Sequence, residues 1–158
     1  MSSLVADMLQ FSVGTTPADV AFVAAHMRQA DVDEVRAAGW DPLPALQDGA
    51  ANSMLLWTAK DGNTPVAILG MGAPSLLGDV GVPWFLGTDQ VHKHRRAFVR
   101  TAPTYLRQML AFYPRLMNYV HTENRQAILW LRKTGFKLGA AVRAPTGARF
   151  YPFEMTRN

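Results

Sequence analysis

The sequence predicts a mixed α/β fold with a single central sheet of about six to seven strands flanked by helices. Three observations predict it. Residues 54–72 hold two strand-length apolar runs on either side of Asp61-Gly62-Asn63, a turn sequence suited to a tight hairpin. The stretch 119–136, YVHTENRQAILWLRKTGF, passes from strand to helix and back to strand. The first fifty residues have the apolar spacing of helices that follow one short strand.

Taken in order, Leu9–Val13 reads as that first strand, and Gly14 closes it. Thr16 has the side chain of a helix N-cap, with Pro17 at the first helical position, where its missing N–H costs nothing. Val20, Val23, Ala24 and Met27 then form a core-facing stripe. Asp31 and Glu34 have the spacing of a reciprocal N-terminal cap, which predicts a second helix from Asp31 to Gly39. Asp41-Pro42 opens a third helical turn.

The runs SMLLWTAK and PVAILGMGA make the hairpin, and VPWFLGT beyond the loop Ala73–Gly81 makes the third strand of a meander. After Asp89 the spacing is helical to about Leu110, with Phe98, Leu106, Met109 and Leu110 on the apolar face. Pro103 predicts a kink or a fresh start near Thr101, because an interior proline costs about 3 kcal/mol. Arg115–His121 is the next strand, Asn124–Lys133 the next helix, and Gly135 its left-handed stop. Phe136–Val142 and Arg149–Met155 close the list as a pair.

At 158 residues, 49% hydrophobic and 18% charged, the chain suits one domain over 1–158 and is too short for two. Cysteine is absent, so disulfides and thiolate metal sites are excluded. No apolar run reaches the roughly 20 residues of a membrane span, and MSSLVADMLQ lacks the basic start of a secretory signal, so a soluble, unprocessed protein is expected. The net charge is +4, yet Lys93, Arg95, Arg96, Arg100, Arg107 and Arg115 fall between Gln90 and Thr122 with no Asp or Glu among them. The rest of the chain is therefore net acidic. His92 and His94 extend this basic patch, whose partners would be phosphate-bearing ligands, acidic protein surfaces or nucleic acid.

Other chemistry finds little support. No carboxylate or thiol accompanies His92 and His94 at ligand spacing, so no metal is expected. Ser53 and Ser75 lack the His and Asp of a nucleophilic triad. Trp57, Trp84 and Trp130 lie in expected regular elements as apolar anchors, whereas Trp40 in the turn AGWDP suits a protein contact.

The element order, together with Asn124, Ala127, Gly135 and Phe136 in N-x-x-A-x-x-x-x-x-x-x-G-F, resembles the GNAT superfamily of acetyl-CoA-dependent N-acetyltransferases. The segments AGWDPLPAL, GVPWFLGTD, HKHRRAF and NYVHTENRQAILWLRKTGFKL resemble a smaller bacteriophage family, the internal virion protein A type of short-tailed phages, whose members look like GNAT domains. That resemblance implies a structural or morphogenesis protein of virion and host cytoplasm, acting in assembly or DNA delivery with other virion proteins as partners. The GNAT likeness implies acetyl-CoA as cofactor, with Thr88, Lys93, His94, Arg95, Arg96 and Asn124 as the binding set. It also places His121 at a strand end facing the cofactor cleft.

Two departures bear on chemistry. Active members carry Q/R-x-x-G-x-G/A where this chain has HKHRRAF, so Lys93, Arg95 and Arg96 would have to hold a pyrophosphate through side chains. Seven residues after Asn124, where many members have an acidic tyrosine phenol, stands Leu131. Asp89 is the only carboxylate near the central strand, and it serves equally as a helix cap, so no catalytic residue is assigned. The expected role is structural with degenerate catalysis. An active acetyl-CoA-dependent N-acetyltransferase is the alternative.

Overall fold

The computed structural model describes residues 9–75 and 77–158. Strand β1 (Gln10–Val13) leads into helices α1 (Pro17–Ala25), α2 (Gln29–Ala37) and α3 (Pro42–Asn52). Strands β2 (Leu55–Asp61), β3 (Thr64–Gly72) and β4 (Val80–Gly87) follow, then the short α4 (Gln90–Lys93) and the long α5 (Arg95–Phe112). Strand β5 (Arg115–His121), helix α6 (Arg125–Thr134) and strands β6 (Lys137–Leu138), β7 (Val142–Arg143) and β8 (Arg149–Thr156) complete the chain.

Among the described residues all eight strands join one sheet in the order β1-β2-β3-β4-β5-β8-β6, with β7 also on β8. β1 to β4 form an antiparallel meander. The β2–β3 turn is the two-residue loop Gly62-Asn63, with Gly62 at φ +62° supplying its one positive dihedral. β3 is buried on both faces, as a central strand covered by two helical layers must be, which is why PVAILGMG reads as an unbroken apolar run. Ile68 packs with Val20, Val23, Val35 and Leu46 of α1–α3. Leu69 and Met71 pack instead with Tyr105, Leu106 and Met109 of α5 and Leu131 of α6.

Helix ends follow their chemistry. Thr16 Oγ1 accepts the Asp19 N–H at 3.1 Å, a cap that contributes about 1 kcal/mol. Gly135 closes α6 at φ +106°, and the Phe136 N–H donates to the Leu131 carbonyl at 3.0 Å. The strand Arg115–His121 and the Asn124-capped helix lie where the sequence places them.

Three expectations need correction. Asp31 does not cap α2: the helix starts at Gln29 after Arg28, and Asp31 is buried inside its first turn. The helix after Asp89 breaks at His94, not near Thr101, and Pro103 sits within a continuous α5 on its exposed side. The single strand expected over Phe136–Val142 is split into β6 and β7, which raises the strand number to eight. At the split, Gly139 crosses Pro152 so closely that an added Cβ would lie 3.0 Å from the proline ring.

Candidate functional site

β4 and β5 run parallel and pair at only two positions, Val80 with Arg115 and Gly81 with Leu116, before they splay. Pro83 explains where the ladder stops. Its carbonyl accepts the Asn118 side-chain amide at 2.7 Å, so residue 83 turns its backbone toward β5, and a proline there has no N–H to donate. By the two-residue period of a strand, the backbones of Phe85 and Gly87 point the same way. Gly87 is satisfied by α2 and the residue that precedes it: its N–H donates to Asp31 Oδ2 at 2.9 Å and its carbonyl accepts the Arg28 N–H at 2.9 Å. Among the described residues nothing pairs with the Phe85 peptide on this edge of β4.

The splay opens a cleft of about 1440 Å³ that passes from the face of α2 and α3 to the face of α5 and α6. This is above the roughly 300–1,000 Å³ common for small-molecule sites. Phe85 stands between Phe98 and Trp130, at ring-centroid distances of 5.1 and 5.9 Å, and the three form one apolar wall. Leu131 lies on the same lining and is buried.

The opposite wall holds a carboxylate pair that local spacing disguised as a cap. Asp31, 1% exposed, accepts from Arg28 Nη2 at 2.9 Å, from the Gly87 N–H and from Asn124 Nδ2 at 3.3 Å. Glu34 Oε1 accepts the His121 N–H at 2.7 Å and Asn124 Nδ2 at 3.4 Å. Among the described residues nothing bonds to its other oxygen. Burial, and then the nearby Asp31 carboxylate, push the Glu34 carboxyl up to about 7, against the opposing pull of its hydrogen bonds and Arg28. The cleft thus contains a group that both takes and gives a proton near neutrality.

The residues expected to hold a cofactor divide into two sets. Arg95, Arg96 and Asn124 reach the cleft lining. Thr88 does not: its hydroxyl donates to the Val66 carbonyl at 3.1 Å and accepts the Gln90 N–H at 3.3 Å. Lys93 and His94 both turn to Asp61 at the β2–β3 turn, at 3.8 and 3.1 Å. His94 is 1% exposed, so it is not part of the basic surface expected of it. Asn124 is fully engaged, capping α6 at the Ala127 N–H and bonding both carboxylates of α2. His121 packs against Phe150 beside the cleft rather than on its lining.

The basic wall belongs to α5. Arg95, Arg96 and Arg100 line the cleft and are exposed, and among the described residues none makes an ion pair. Arg95 and Arg96 sit in the first turn of this 18-residue helix, where backbone N–H groups lack intrahelical acceptors. One wall therefore suits anions and the other cations.

Solved structures share this architecture at low sequence identity. The protein smu.2055 from Streptococcus mutans superposes with a TM-score of 0.70 at 15% identity over 93% of this chain and 98% of its own. A spermidine N-acetyltransferase from Vibrio cholerae, solved with CoA and spermine, gives 0.67 at 10% identity over 94% and 95% of the two chains. The acetyltransferase AAC(6')-Ib, in complex with ribostamycin and coenzyme A, gives 0.67 at 16% identity over 94% and 93%. The fold is that of the GNAT acetyltransferases.

Within this GNAT fold, residues 65–141 match the family described as bacteriophage T7, probable scaffold protein Gp13. The matched span is just under half of the chain and runs from β3 to the residue before β7. It includes both splayed strands. No curated protein sequence matches the chain. Among the described residues no helix is long and apolar enough to cross a membrane.

Proposed function

We propose that this protein is a virion-associated assembly protein of a bacteriophage, built as a single domain on the GNAT fold and keeping the cleft as a binding groove. The observation that carries the reading is the scaffold-protein match over residues 65–141, the span that supplies β4, α5, β5 and α6 around the cleft. Leu131 supports it, since an alkyl side chain on the cleft wall transfers no proton. Mass spectrometry of purified particles tests it: the chain is expected in mature virions or in assembly intermediates. Its absence from both would overturn the reading.

A second reading, acetyl transfer from acetyl-CoA to an amine, is favoured by Glu34, which supplies the proton acceptor that the sequence alone did not reveal. The residues present fit the cofactor in volume and donors. Arg95, Arg96 and the open N-terminal turn of α5 would hold its phosphates, and the Phe85 peptide would meet its extended arm. The cofactor would supply an activated acetyl group. Glu34 would accept the proton of the attacking amine, and the thiolate would take its proton from solvent, because Leu131 has none to give. Thr88, Lys93 and His94 take no part. Calorimetry with acetyl-CoA decides: saturable micromolar binding, lost in Arg95→Ala/Arg96→Ala, favours transfer, and no binding at millimolar cofactor rules it out.

A further inference from the structure

The helical layers on the two faces of the sheet differ in charge. Helices α1–α3 carry Asp19, Asp31, Asp33, Glu34 and Asp48 against Arg36 alone. Helix α5 holds Arg95, Arg96, Arg100 and Arg107, and α6 holds Arg125, Arg132 and Lys133, with no Asp or Glu in either. Arg96, Arg100 and Arg107 fall within about 40° of one another around the α5 axis, opposite the buried Phe98, Tyr105 and Met109. On α6, Arg125, Arg132 and Lys133 turn away from the buried Leu131. Both helices pack on the same sheet face, so these six exposed cations share one outward surface, and among the described residues none of them makes an ion pair. This surface is not the basic patch of the linear sequence: Lys93 is drawn to Asp61 and Arg115 to Glu154, and α6 supplies half of the cations. Nor is it the cleft wall, because Arg107, Arg125 and Arg132 stand outside the cleft lining.

We propose that the outer face of α5 and α6 binds the phosphate backbone of duplex DNA without reading its sequence. Arg96 and Arg107 are about 16 Å apart along the helix axis, too far for one small anion to bridge and suited to a line of charges. Arginine supplies five of the six cations, and its planar fork matches phosphate oxygens. Pro103, Thr104 and Gln126 stand between the charged positions, and Leu129 is the one large exposed apolar side chain among them. The face therefore lacks the apolar centre of a protein–protein interface. A second copy of this chain offers little free acidic surface in return. Asp19 pairs with Lys60 at 3.2 Å, Asp31 with Arg28 at 2.9 Å and Asp41 with Arg36 at 3.7 Å. Asp33 and Asp48 accept the Gln29 and Asn52 side-chain amides at 2.7 and 2.9 Å. The acidic layer on the opposite sheet face instead orients the domain, turning α5 and α6 toward a polyanion. Because Arg107, Arg125 and Arg132 lie outside the cleft lining, the docking depends neither on acetyl transfer nor on incorporation into particles.

The probe is a fluorescent mixed-sequence duplex of about 20 bp, titrated with the full chain by anisotropy at several salt concentrations. Saturable micromolar binding is expected at about 0.05 M salt, with log K falling against log salt at a slope near −5, as about six phosphate contacts require. Arg107→Ala/Arg132→Ala should reduce the slope by about two and the affinity at 0.1 M salt by about a hundred-fold. Arg36→Ala, on the opposite layer, should change neither. Polyglutamate of equal total charge should compete weakly, since an extended chain spaces its charges at about 3.4 Å, against about 1.7 Å along the duplex. No saturation at low salt, or indifference to Arg107→Ala/Arg132→Ala, overturns the docking. Displacement of the duplex by inorganic pyrophosphate overturns it too, by confining phosphate binding to the cleft arginines. Equal competition by polyglutamate assigns the face to an acidic protein segment, and oligomers in low salt that the double variant dissolves assign it to a second copy. Either result also sinks the proposal.

Discussion

Asn118 spans the splayed strands: its Nδ2 donates to the Pro83 carbonyl at 2.7 Å, two residues beyond the last backbone pair of β4 and β5. The same side chain accepts the Tyr119 N–H through Oδ1 at 2.8 Å. One amide thus takes over at the point where Pro83 ends the backbone ladder.

Asn118→Ala removes both bonds. Each is partly accessible to water, so the expected loss is about 1 kcal/mol, a fall in melting temperature of roughly 2–4 °C for a chain of this size. Hydrogen exchange at Tyr119 should accelerate at the same time. A variant with unchanged melting temperature and unchanged exchange would show that the cross-strand bond has no part in holding the opening.

Glu34 makes stability depend on pH in a defined direction. Its folded-state value near 7 lies above the ordinary carboxylate value near 4.5. The folded protein therefore binds more protons than the unfolded chain between these limits. The contribution is fully present below pH 4.5 and is lost as pH rises through 7. Glu34→Gln keeps an acceptor for the His121 N–H and removes the titration. The wild-type unfolding free energy should fall from pH 5 to pH 8 relative to the variant, by an upper bound of about 3 kcal/mol. Parallel urea-denaturation profiles across that range would contradict the assignment.

The contrast between Asn124 and Glu34 shows what was legible in the chain. Asn124 and Gly135 act on their own helix, one as N-cap and one as left-handed stop, so local spacing was enough to read them. Glu34 gains its role from His121 and Asn124, 87 and 90 residues away, and its three-residue offset from Asp31 looks like an ordinary capping pair. His94 misled for a similar reason. Its neighbours His92, Lys93, Arg95 and Arg96 are all exposed, and only the break between α4 and α5 turns its ring inward to Asp61. Pro83 carried a usable signal, since a proline within an apparent central strand implies that one of its edges is unpaired.

Gly49 of α3 lies against the flat of Trp84. A Cβ at position 49 would fall 2.9 Å from the indole Cζ2, and the indole has little freedom to retreat because its N–H donates to Ser53 Oγ at 2.7 Å. Alanine ordinarily stabilises a helix interior relative to glycine by up to about 1 kcal/mol. Here overpacking should win, with a net destabilisation of about 1–2 kcal/mol and a shift in tryptophan emission. Gly49→Ala stabilising the protein, with unaltered emission, would mean that α3 moves away from β4 freely.

His94 joins the start of α5, where Arg95 and Arg96 emerge, to the β2–β3 turn through Asp61. The two partners are not equally placed: the His94 side chain is fully buried, whereas that of Asp61 is 37% exposed. His94→Ala should therefore cost about 2–3 kcal/mol, mostly from the cavity left by the imidazole, and Asp61→Asn less than about 1 kcal/mol. A double-mutant cycle isolates the contact itself, for which a coupling of roughly 0.5–1 kcal/mol is expected. The functional consequence is separable from the stability loss. At a temperature where Asp61→Asn remains fully folded, it should weaken binding of an anionic probe such as inorganic pyrophosphate at Arg95 and Arg96, and Lys93→Ala should have a smaller effect because Lys93 Nζ is 3.8 Å from the same carboxylate. Equal pyrophosphate affinity in wild type and Asp61→Asn would show that the arginines are placed by α5 alone.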